Sequence, residues 1–143
     1  PLSSSAASDV YKRQVPCSSN DFLLMDVLRN EWGFKGHVVS DCGAIYNIHA
    51  NHLFTETPHQ GAAIALKSGT DMNCGGQYQK YLKEALEIGL INETDIDTSL
   101  KRILRSRFLL GMFDHPILVP YSKISKDVID SKKHRMLAKE VAL

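Results

Sequence analysis

One carboxylate in this sequence lies where α/β proteins usually carry their chemistry. Asp41 directly follows residues 37–40, a short apolar run that we predict to be a β-strand buried on both faces. In parallel α/β sheets and barrels, ligands bind beyond the carboxyl ends of the strands. A carboxylate there can act as a nucleophile, a general base or a metal ligand, or it can cap the loop in an Asx turn. The pattern alone leaves all four roles open.

Other side chains close to Asp41 offer weaker alternatives. Cys42, His49 and His52 can be combined with Asp41 as a metal site, but both imidazoles share one side only if the loop is helical there. We therefore favour solvated histidines and expect no metal. Cys42 has no basic neighbour in the sequence that would lower the pKa of its thiol, so we interpret it as a small packing residue.

A glycine pair suggests a different class of enzyme. Gly75 and Gly76 precede a predicted helix, where free N–H groups can hold a phosphate, as in many barrels after their last strands. A lone glycine pair is a weak signal, and we favour a simple turn as its explanation. A phosphate-binding barrel enzyme therefore stays open as an alternative.

Alternating helices and strands must position these residues. Residues 37–40 and 70–74 are the strand candidates, residues 42–56 form a long polar loop, and residues 112–130 form a linker. The spacing predicts five helices. The first is capped by Ser19 or Asn20 and ends at Gly33, and the second runs from the capping box Thr57–Pro58–His59–Gln60 to Gly69. The third runs from Gly76 to Gly89, the fourth from the cap Thr94 to Gly111, and the fifth begins near Ser131.

This order predicts parallel strands joined by right-handed crossovers, and hence an α/β fold. Two strands cannot form a stable sheet of this kind, because their faces and edges would lie open. We therefore expect the missing strands to come from sequence before Val15. Residues 1–14 are small, polar and aperiodic, and we predict that they are disordered or foreign to the fold.

Composition excludes several classes of function. Seventeen basic and sixteen acidic residues leave a formal charge of +1, which gives no electrostatic footprint for nucleic acid. No apolar stretch approaches the roughly 20 residues that a membrane span requires. Three cysteines are an odd number without Cys-x-x-Cys spacing, which argues against a disulfide framework and against structural zinc. The sequence leaves localisation and oligomeric state undetermined.

Several ordered motifs carry a family resemblance. Residues 15–45, VPCSSNDFLLMDVLRNEWGFKGHVVSDCGAI, resemble the stretch of glycoside hydrolase family 3 that leads into its nucleophile. Residues 63–75 (AIALKSGTDMNCG), 84–97 (EALEIGLINETDID) and 107–114 (RFLLGMFD) match the next parts of the family pattern. Residues 134–142, HRMLAKEVA, resemble the first helix of its second domain. The resemblance covers everything after Gln14.

The resemblance implies both a fold and a reaction. It implies the C-terminal portion of a (β/α)8 barrel over residues 15–114, a linker over 115–130, and over 131–143 the start of an α/β sandwich domain. It implies a retaining, exo-acting β-glycosidase with Asp41 as nucleophile, an oligosaccharide substrate and no cofactor. The acid/base residue of the family belongs to the second domain, beyond Leu143, so we expect it outside this chain.

One departure from the family pattern bears on specificity. Many β-glucosidases of the family have an aromatic residue after the nucleophile, where this chain has Cys42. The Asp-Cys pair and residues 72–75, Met-Asn-Cys-Gly, resemble the β-xylosidase-like branch, which implies that Cys42 lines the sugar subsite. A β-glucosidase is the alternative within the family. An inactive remnant or a fragment that only binds sugar is the alternative of another class.

Overall fold

The computed structural model describes residues 15–142, so the predicted leader, residues 1–14, lies outside the described part. The chain divides into two compact units, of which the first ends at Ser106 and the second begins at Arg107. The first unit contains Asp41.

The first unit is mainly helical. A 3-10 turn, Cys17–Ser19, precedes a π-helix, Phe22–Glu31. The α-helices that follow are α1, Ala44–Ala50; α2, Pro58–Lys67; α3, Gln77–Glu87; and α4, Glu93–Leu109. Four of the five predicted helices are therefore present in this unit, as the π-helix, α2, α3 and α4.

Local capping explains where α2 begins. The hydroxyl of Thr57 accepts a hydrogen bond from the Gln60 N–H at 3.2 Å, and the Gln60 side chain accepts from the Thr57 N–H at 3.1 Å. Pro58 occupies the first helical position, where its missing N–H costs nothing. The predicted capping box is confirmed.

Two predictions between the helices were wrong. The polar segment 42–56 contains helix α1, because Ile45 and Ile48 bury their side chains against α2 and tertiary packing outweighs the polar residues between them. Helix α4 begins at Glu93 with Asn92 as its cap: the Asn92 side chain accepts from the Asp95 N–H, and the Asp95 carboxylate accepts from the Asn92 N–H, each at 3.0 Å. Thr94 already lies inside the helix.

The two predicted strands are reduced to one contact. Val39 and Met72 form an isolated parallel bridge, and residues 15–142 contain no longer ladder. The parallel direction agrees with the α/β prediction, whereas the extent of pairing does not. The expected burial on both faces is also wrong, since 53% of Val39 is exposed. Two segments without further pairing partners cannot extend a ladder.

The core of the first unit lies around helix α2. Ala62, Ala63, Ala65 and Leu66 are buried there, and the small alanines let α1 and α3 pack closely against α2. Ala85 of α3 and Ile91 belong to the cluster that contains Ala63 and Leu66. Helix α2 is therefore the central element of the first unit, since both apolar clusters include its residues.

The second unit is made of short turns and one helix. Three 3-10 turns, Pro116–Leu118, Pro120–Lys123 and Lys126–Val128, precede α5, Lys132–Val141. The Ser131 hydroxyl accepts from the His134 N–H at 3.4 Å, so the helix begins where the sequence predicts. Asp130 and Arg135 form an exposed ion pair beside this cap.

Within residues 15–142, every helix is too short or too polar to cross a lipid bilayer.

Candidate functional site

Asp41 lies at the outgoing end of the bridged segment. The Ser40 N–H donates to the Met72 carbonyl at 2.9 Å, and Asp41 is the next residue. Asp41 is exposed, and its side-chain Oδ1 accepts a hydrogen bond from the Cys42 N–H at 2.7 Å. The Asp41 carbonyl accepts from the Ala44 N–H at 3.1 Å, which starts the turn into α1. The carboxylate is thus oriented locally and faces the surface of this chain.

Gly43 makes the turn after Asp41 possible. Its φ of +88° is in the left-handed region, and an added Cβ would meet nothing within 4 Å. Backbone strain, rather than lack of space, therefore favours glycine at this position. Because Gly43 lies two residues from Asp41, it sets how helix α1 leaves the site.

Cys42 and Cys74 form a disulfide bond, with their Cα atoms 4.5 Å apart. This corrects the prediction that the cysteines form no disulfide, and it means that Cys42 is not a thiol. The two cysteines have no Cys-x-x-Cys spacing, because they are 32 positions apart and meet only when the two bridged segments lie side by side. The bond ties the loop that follows Asp41 to the loop that follows Met72.

Ser40 connects the same two loops from the buried side. It is only 6% exposed, and its hydroxyl oxygen accepts from the Cys74 N–H at 3.0 Å and from the Asn73 amide at 3.3 Å. The Asn73 side-chain carbonyl in turn accepts from the N–H groups of Gln77 and Tyr78, at 2.8 and 3.4 Å. Asn73 therefore caps α3 with its side chain.

This cap affects the phosphate-site alternative. The site required free N–H groups at the start of the helix that follows Gly75 and Gly76. Two of those donors, on Gln77 and Tyr78, bind Asn73. The glycine pair therefore serves as a turn into a helix whose first donors are already occupied.

A buried charge cluster holds the other end of the bridged segment. The Asp71 carboxylate is fully buried and contacts Arg29 Nη2 at 2.6 Å and Arg102 Nη1 at 2.9 Å. It also accepts from the Val38 N–H at 2.8 Å, while the Asp71 N–H donates to the Val38 carbonyl at 2.9 Å. Arg29 additionally donates to the Gly36 carbonyl at 3.0 Å. Asp71 thus clamps the segment three residues before Asp41.

The sequence interpretation missed this cluster. The available signal was a carboxylate inside a predicted strand, since a buried carboxylate requires cationic partners. Arg29 and Arg102 lie on two different helices, so no spacing in the sequence pairs them with Asp71. Only the fold brings the three side chains together.

Burial shifts two ionisation equilibria beside this cluster. Desolvation lowers the pKa of the Arg29 guanidinium, and the nearby Asp71 charge opposes that effect. Desolvation also raises the pKa of the Tyr78 phenol, whose hydroxyl donates to the Thr70 carbonyl at 2.6 Å. Tyr78 is therefore a neutral hydrogen-bond donor throughout the physiological pH range.

The histidines near Asp41 do not form a ligand set with it. His49 lies on α1 and its Nδ1 contacts the Thr55 carbonyl at 3.1 Å, whereas His52 follows the end of that helix. Across the described residues 15–142, no cluster of three or more metal-ligating side chains occurs. The predicted site residues Asp41 and Cys42 are neighbours in the chain. The disulfide bond places Cys74, which was not predicted as a site residue, beside them.

Comparison with known proteins identifies relatives of this chain. Residues 4–106 match the glycosyl hydrolase family 3 N terminal domain. A xylan 1,4-beta-xylosidase from Xylanibacter ruminicola is 40% identical over 128 residues, which are 89% of this chain and 15% of that protein. A probable beta-D-xylosidase 7 from Arabidopsis thaliana is 36% identical over 90% of this chain and 17% of its own length. The chain therefore spans about a sixth of the length of these relatives.

Solved structures give the same grouping. A GH3 exo-beta-xylosidase in complex with a xylobiose aziridine activity-based probe superposes with a TM-score of 0.82 and 32% identity, over 90% of this chain and 17% of that one. A beta-glucosidase from Listeria innocua in complex with isofagomine superposes with a TM-score of 0.76 and 29% identity, over 89% and 18%. The chain belongs to glycosyl hydrolase family 3, whose N-terminal domain has a fold of the TIM-barrel type.

Proposed function

We propose that this chain is part of a longer polypeptide, here called the parent polypeptide, that is a retaining exo-acting β-glycosidase of the β-xylosidase type. In this proposal residues 15–114 are the C-terminal part of the catalytic barrel domain, residues 115–130 a linker, and residues 131–143 the start of the second domain. The substrate is a β-linked oligosaccharide, and Asp41 is the nucleophile.

The position of Asp41 carries this proposal. It is an exposed carboxylate directly after a parallel bridged segment, held from one side by the disulfide and from the other by the Ser40 hydrogen bonds. Barrel enzymes build their active sites on the loops at this end of the strands. A nucleophile must keep a fixed direction toward the reacting carbon, and anchoring on both sides provides this.

The reaction has two steps. An oxygen of the Asp41 carboxylate forms a bond to the anomeric carbon as the bond to the leaving oxygen breaks, and an acid group protonates that oxygen. Water then attacks the same carbon, the acid group removes its proton, and Asp41 is released as a carboxylate. The acid/base group comes from outside this chain in our proposal, and we expect it about 5–5.5 Å from Asp41, the separation of retaining enzymes.

Two observations favour xylose over glucose as the sugar. The relatives named above from Xylanibacter ruminicola and Arabidopsis thaliana are both called xylosidases. The residue after Asp41 is a disulfide-bonded cysteine, which keeps a compact group beside the nucleophile in place of a large aromatic ring. The β-glucosidase alternative is supported by structural similarity to the enzyme from Listeria innocua.

A mechanism-based label tests the assignment of Asp41. A 2-deoxy-2-fluoro-β-xyloside should label the parent polypeptide on the peptide that contains Asp41, and Asp41→Asn should abolish turnover of an aryl β-xyloside. Asp97→Asn, which changes an exposed carboxylate on α4, is the matched control and should leave turnover intact. A label on another residue, together with full activity of Asp41→Asn, would overturn the assignment.

Parallel assays separate the alternatives. Faster hydrolysis of an aryl β-glucoside than of the xyloside would indicate the β-glucosidase. Absence of turnover with either substrate, while xylo-oligosaccharides still bind, would indicate a sugar-binding remnant.

The isolated 143-residue chain should be inactive and should fold poorly. Without partners for the bridged segments, large apolar side chains lie in solvent, including Trp32 (74% exposed), Val39, Leu53 and Phe108. Each loses the stabilisation of about 1.5–3 kcal/mol that full burial of a large apolar side chain provides. A cooperative thermal transition together with glycosidase turnover by the purified chain would contradict this expectation.

A further inference from the structure

An exposed asparagine at the start of α4 belongs to a modification motif that the proposed function does not use. Asn92, Glu93 and Thr94 form an Asn-x-Ser/Thr sequence in which the middle residue is not proline. This motif marks asparagines that accept an N-linked oligosaccharide in secreted proteins. Among the six asparagines of the chain, only Asn92 has serine or threonine two positions later. Because such a tripeptide also arises by chance, its surroundings decide whether Asn92 can carry an oligosaccharide.

The motif lies on the surface of the first unit. Asn92, Glu93 and Thr94 are all exposed. They follow Ile91, which is 4% exposed and belongs to the apolar cluster that contains Ala85. The buried residue fixes the backbone directly before the motif, while the motif itself stays accessible from solvent. An N-linked oligosaccharide is bulky and requires such a surface position.

The helix cap leaves the reactive atom of Asn92 available. The Asn92 side chain accepts from the Asp95 N–H through its oxygen, Oδ1, at 3.0 Å, whereas an N-linked oligosaccharide is attached to the nitrogen, Nδ2. In the described part of the chain, Nδ2 has no hydrogen-bond partner. A modified side chain keeps its oxygen, so the cap and the oligosaccharide can coexist in the folded protein.

The disulfide bond indicates the compartment in which this modification occurs. Cys42 and Cys74 are bonded, and disulfides form and persist in oxidising environments such as the lumen of the endoplasmic reticulum. The Asn-x-Ser/Thr motif is likewise used in proteins that pass through the secretory route. A covalent bond and a sequence motif, which are independent features of the chain, therefore agree on the same route.

Helix α3 separates Asn92 from the candidate active site. The helix begins three residues after Cys74, and its 11 residues span about 15 Å. The Leu90 N–H donates to the Ala85 carbonyl at 2.8 Å, which keeps the chain before Asn92 at the far end of the helix. The loop after Asp41 is bonded to Cys74 at the near end. An oligosaccharide on Asn92 is therefore attached at the end of α3 that is remote from Asp41.

We propose that Asn92 is an attachment site for an N-linked oligosaccharide. In the transfer, Nδ2 of Asn92 forms a bond to C1 of the first sugar of an oligosaccharide that is carried on a polyprenyl diphosphate. The bond between C1 and the diphosphate oxygen breaks, the diphosphate leaves with the electron pair, and Nδ2 gives one proton to a base of the transferase. The attachment requires no oxidant or reductant, and it does not depend on the catalytic role of Asp41.

Peptide mapping of the parent polypeptide tests this assignment. The parent is directed into the secretory route of yeast cells and collected from both cells and medium. Trypsin then releases residues 84–101, a peptide whose only asparagine is Asn92. Most copies of this peptide should carry the added mass of an oligosaccharide, and peptide N-glycosidase in heavy-oxygen water should convert Asn92 to labelled aspartate. If most copies are unmodified, the proposal is overturned.

Three variants and one other peptide provide the controls. Asn92→Gln and Thr94→Ala should each lose the added mass, and Thr94→Ala leaves the Asn92 cap in place. Thr94→Ser keeps the motif and should retain the mass. Asn30 is the matched control, because it is exposed and is also followed by a glutamate, but it has Trp32 in place of the hydroxyl residue. Mass retained by Thr94→Ala, or an equal modification of Asn30, would refute the site.

Discussion

Removal of the Cys42–Cys74 bond should loosen the loops on both sides of Asp41. The perturbation is the double variant Cys42→Ala/Cys74→Ala in the parent polypeptide. The bond joins residues 32 positions apart, which closes a loop that contains α1 and α2. Its loss increases the conformational entropy of the unfolded chain. It also removes a covalent restraint on the loop that begins directly after Asp41.

The chain-entropy relation gives the size of the effect. For a closed loop of this length, it assigns the disulfide about 3.7 kcal/mol at 25 °C, or roughly a 500-fold change in the unfolding equilibrium. The Ser40 and Asn73 hydrogen bonds join the same two loops and survive the substitution. We therefore expect the segment to open more often without a change in the native arrangement.

Amide exchange monitored by mass spectrometry measures this opening locally. Peptides that cover residues 38–50 and 70–78 should exchange faster in the double variant, up to the limit of about 500-fold. Cys17→Ala is the matched control, because Cys17 is outside the bond, and it should leave both peptides unchanged. Treatment of the wild-type protein with a reductant should reproduce the behaviour of the double variant.

Two results would refute this reasoning. A peptide map of the unreduced protein in which Cys42 and Cys74 are not linked would remove its basis. Equal exchange rates in wild type and double variant, with the link present, would show that the hydrogen bonds alone hold the loops.

Three further perturbations can be read from amide exchange or absorbance in the same polypeptide. Asp71→Asn leaves the buried Arg29 and the half-buried Arg102 without their counter-charge and should cost about 3–5 kcal/mol. Asp97→Asn on the exposed face of α4 should cost less than about 0.5 kcal/mol, and equal costs for the two variants would contradict the buried cluster. Asn92→Ala should destabilise the start of α4 by about 1 kcal/mol and Thr94→Ala by much less, and the reverse order would restore Thr94 as the cap. Burial raises the pKa of Tyr78, so the stabilisation by its neutral phenol is complete below about pH 10 and is lost as the pH rises further. The absorbance at 295 nm of the wild type minus that of Tyr78→Phe should show no tyrosinate up to alkaline unfolding. Ionisation of Tyr78 near pH 10 would contradict this prediction.

Helix boundaries with local signals were predictable from the sequence. The capping box at Thr57 and the cap at Ser131 depend on residues within four positions of each other, so the spacing is sufficient to identify them. Helix α1 was missed because its apolar residues, Ile45 and Ile48, are few and become buried only against α2. Thr94 was a reasonable cap by type, but Asn92 has the reciprocal partner Asp95.

The candidate site likewise combines features that are local in the sequence with contacts between distant residues. The sequence places Asp41 after an apolar run, and its neighbours supply the family motif. The environment of the site comes from contacts between distant positions: Cys42 with Cys74, Ser40 with Asn73, and Asp71 with its two arginines on separate helices. The strand prediction failed in extent for the same reason, because pairing depends on segments far apart in the chain.

The sequence by itself therefore determined the family, the position of the candidate nucleophile and the helices that have their own caps. Such features depend on residue types at short, fixed separations, where backbone geometry leaves few alternatives. The tertiary structure alone decided the disulfide, the buried charge cluster and helix α1. These features require side chains that are 30 or more positions apart to meet, or require burial that only a neighbouring helix provides. Packing, not local propensity, selects among the many pairings that a sequence permits.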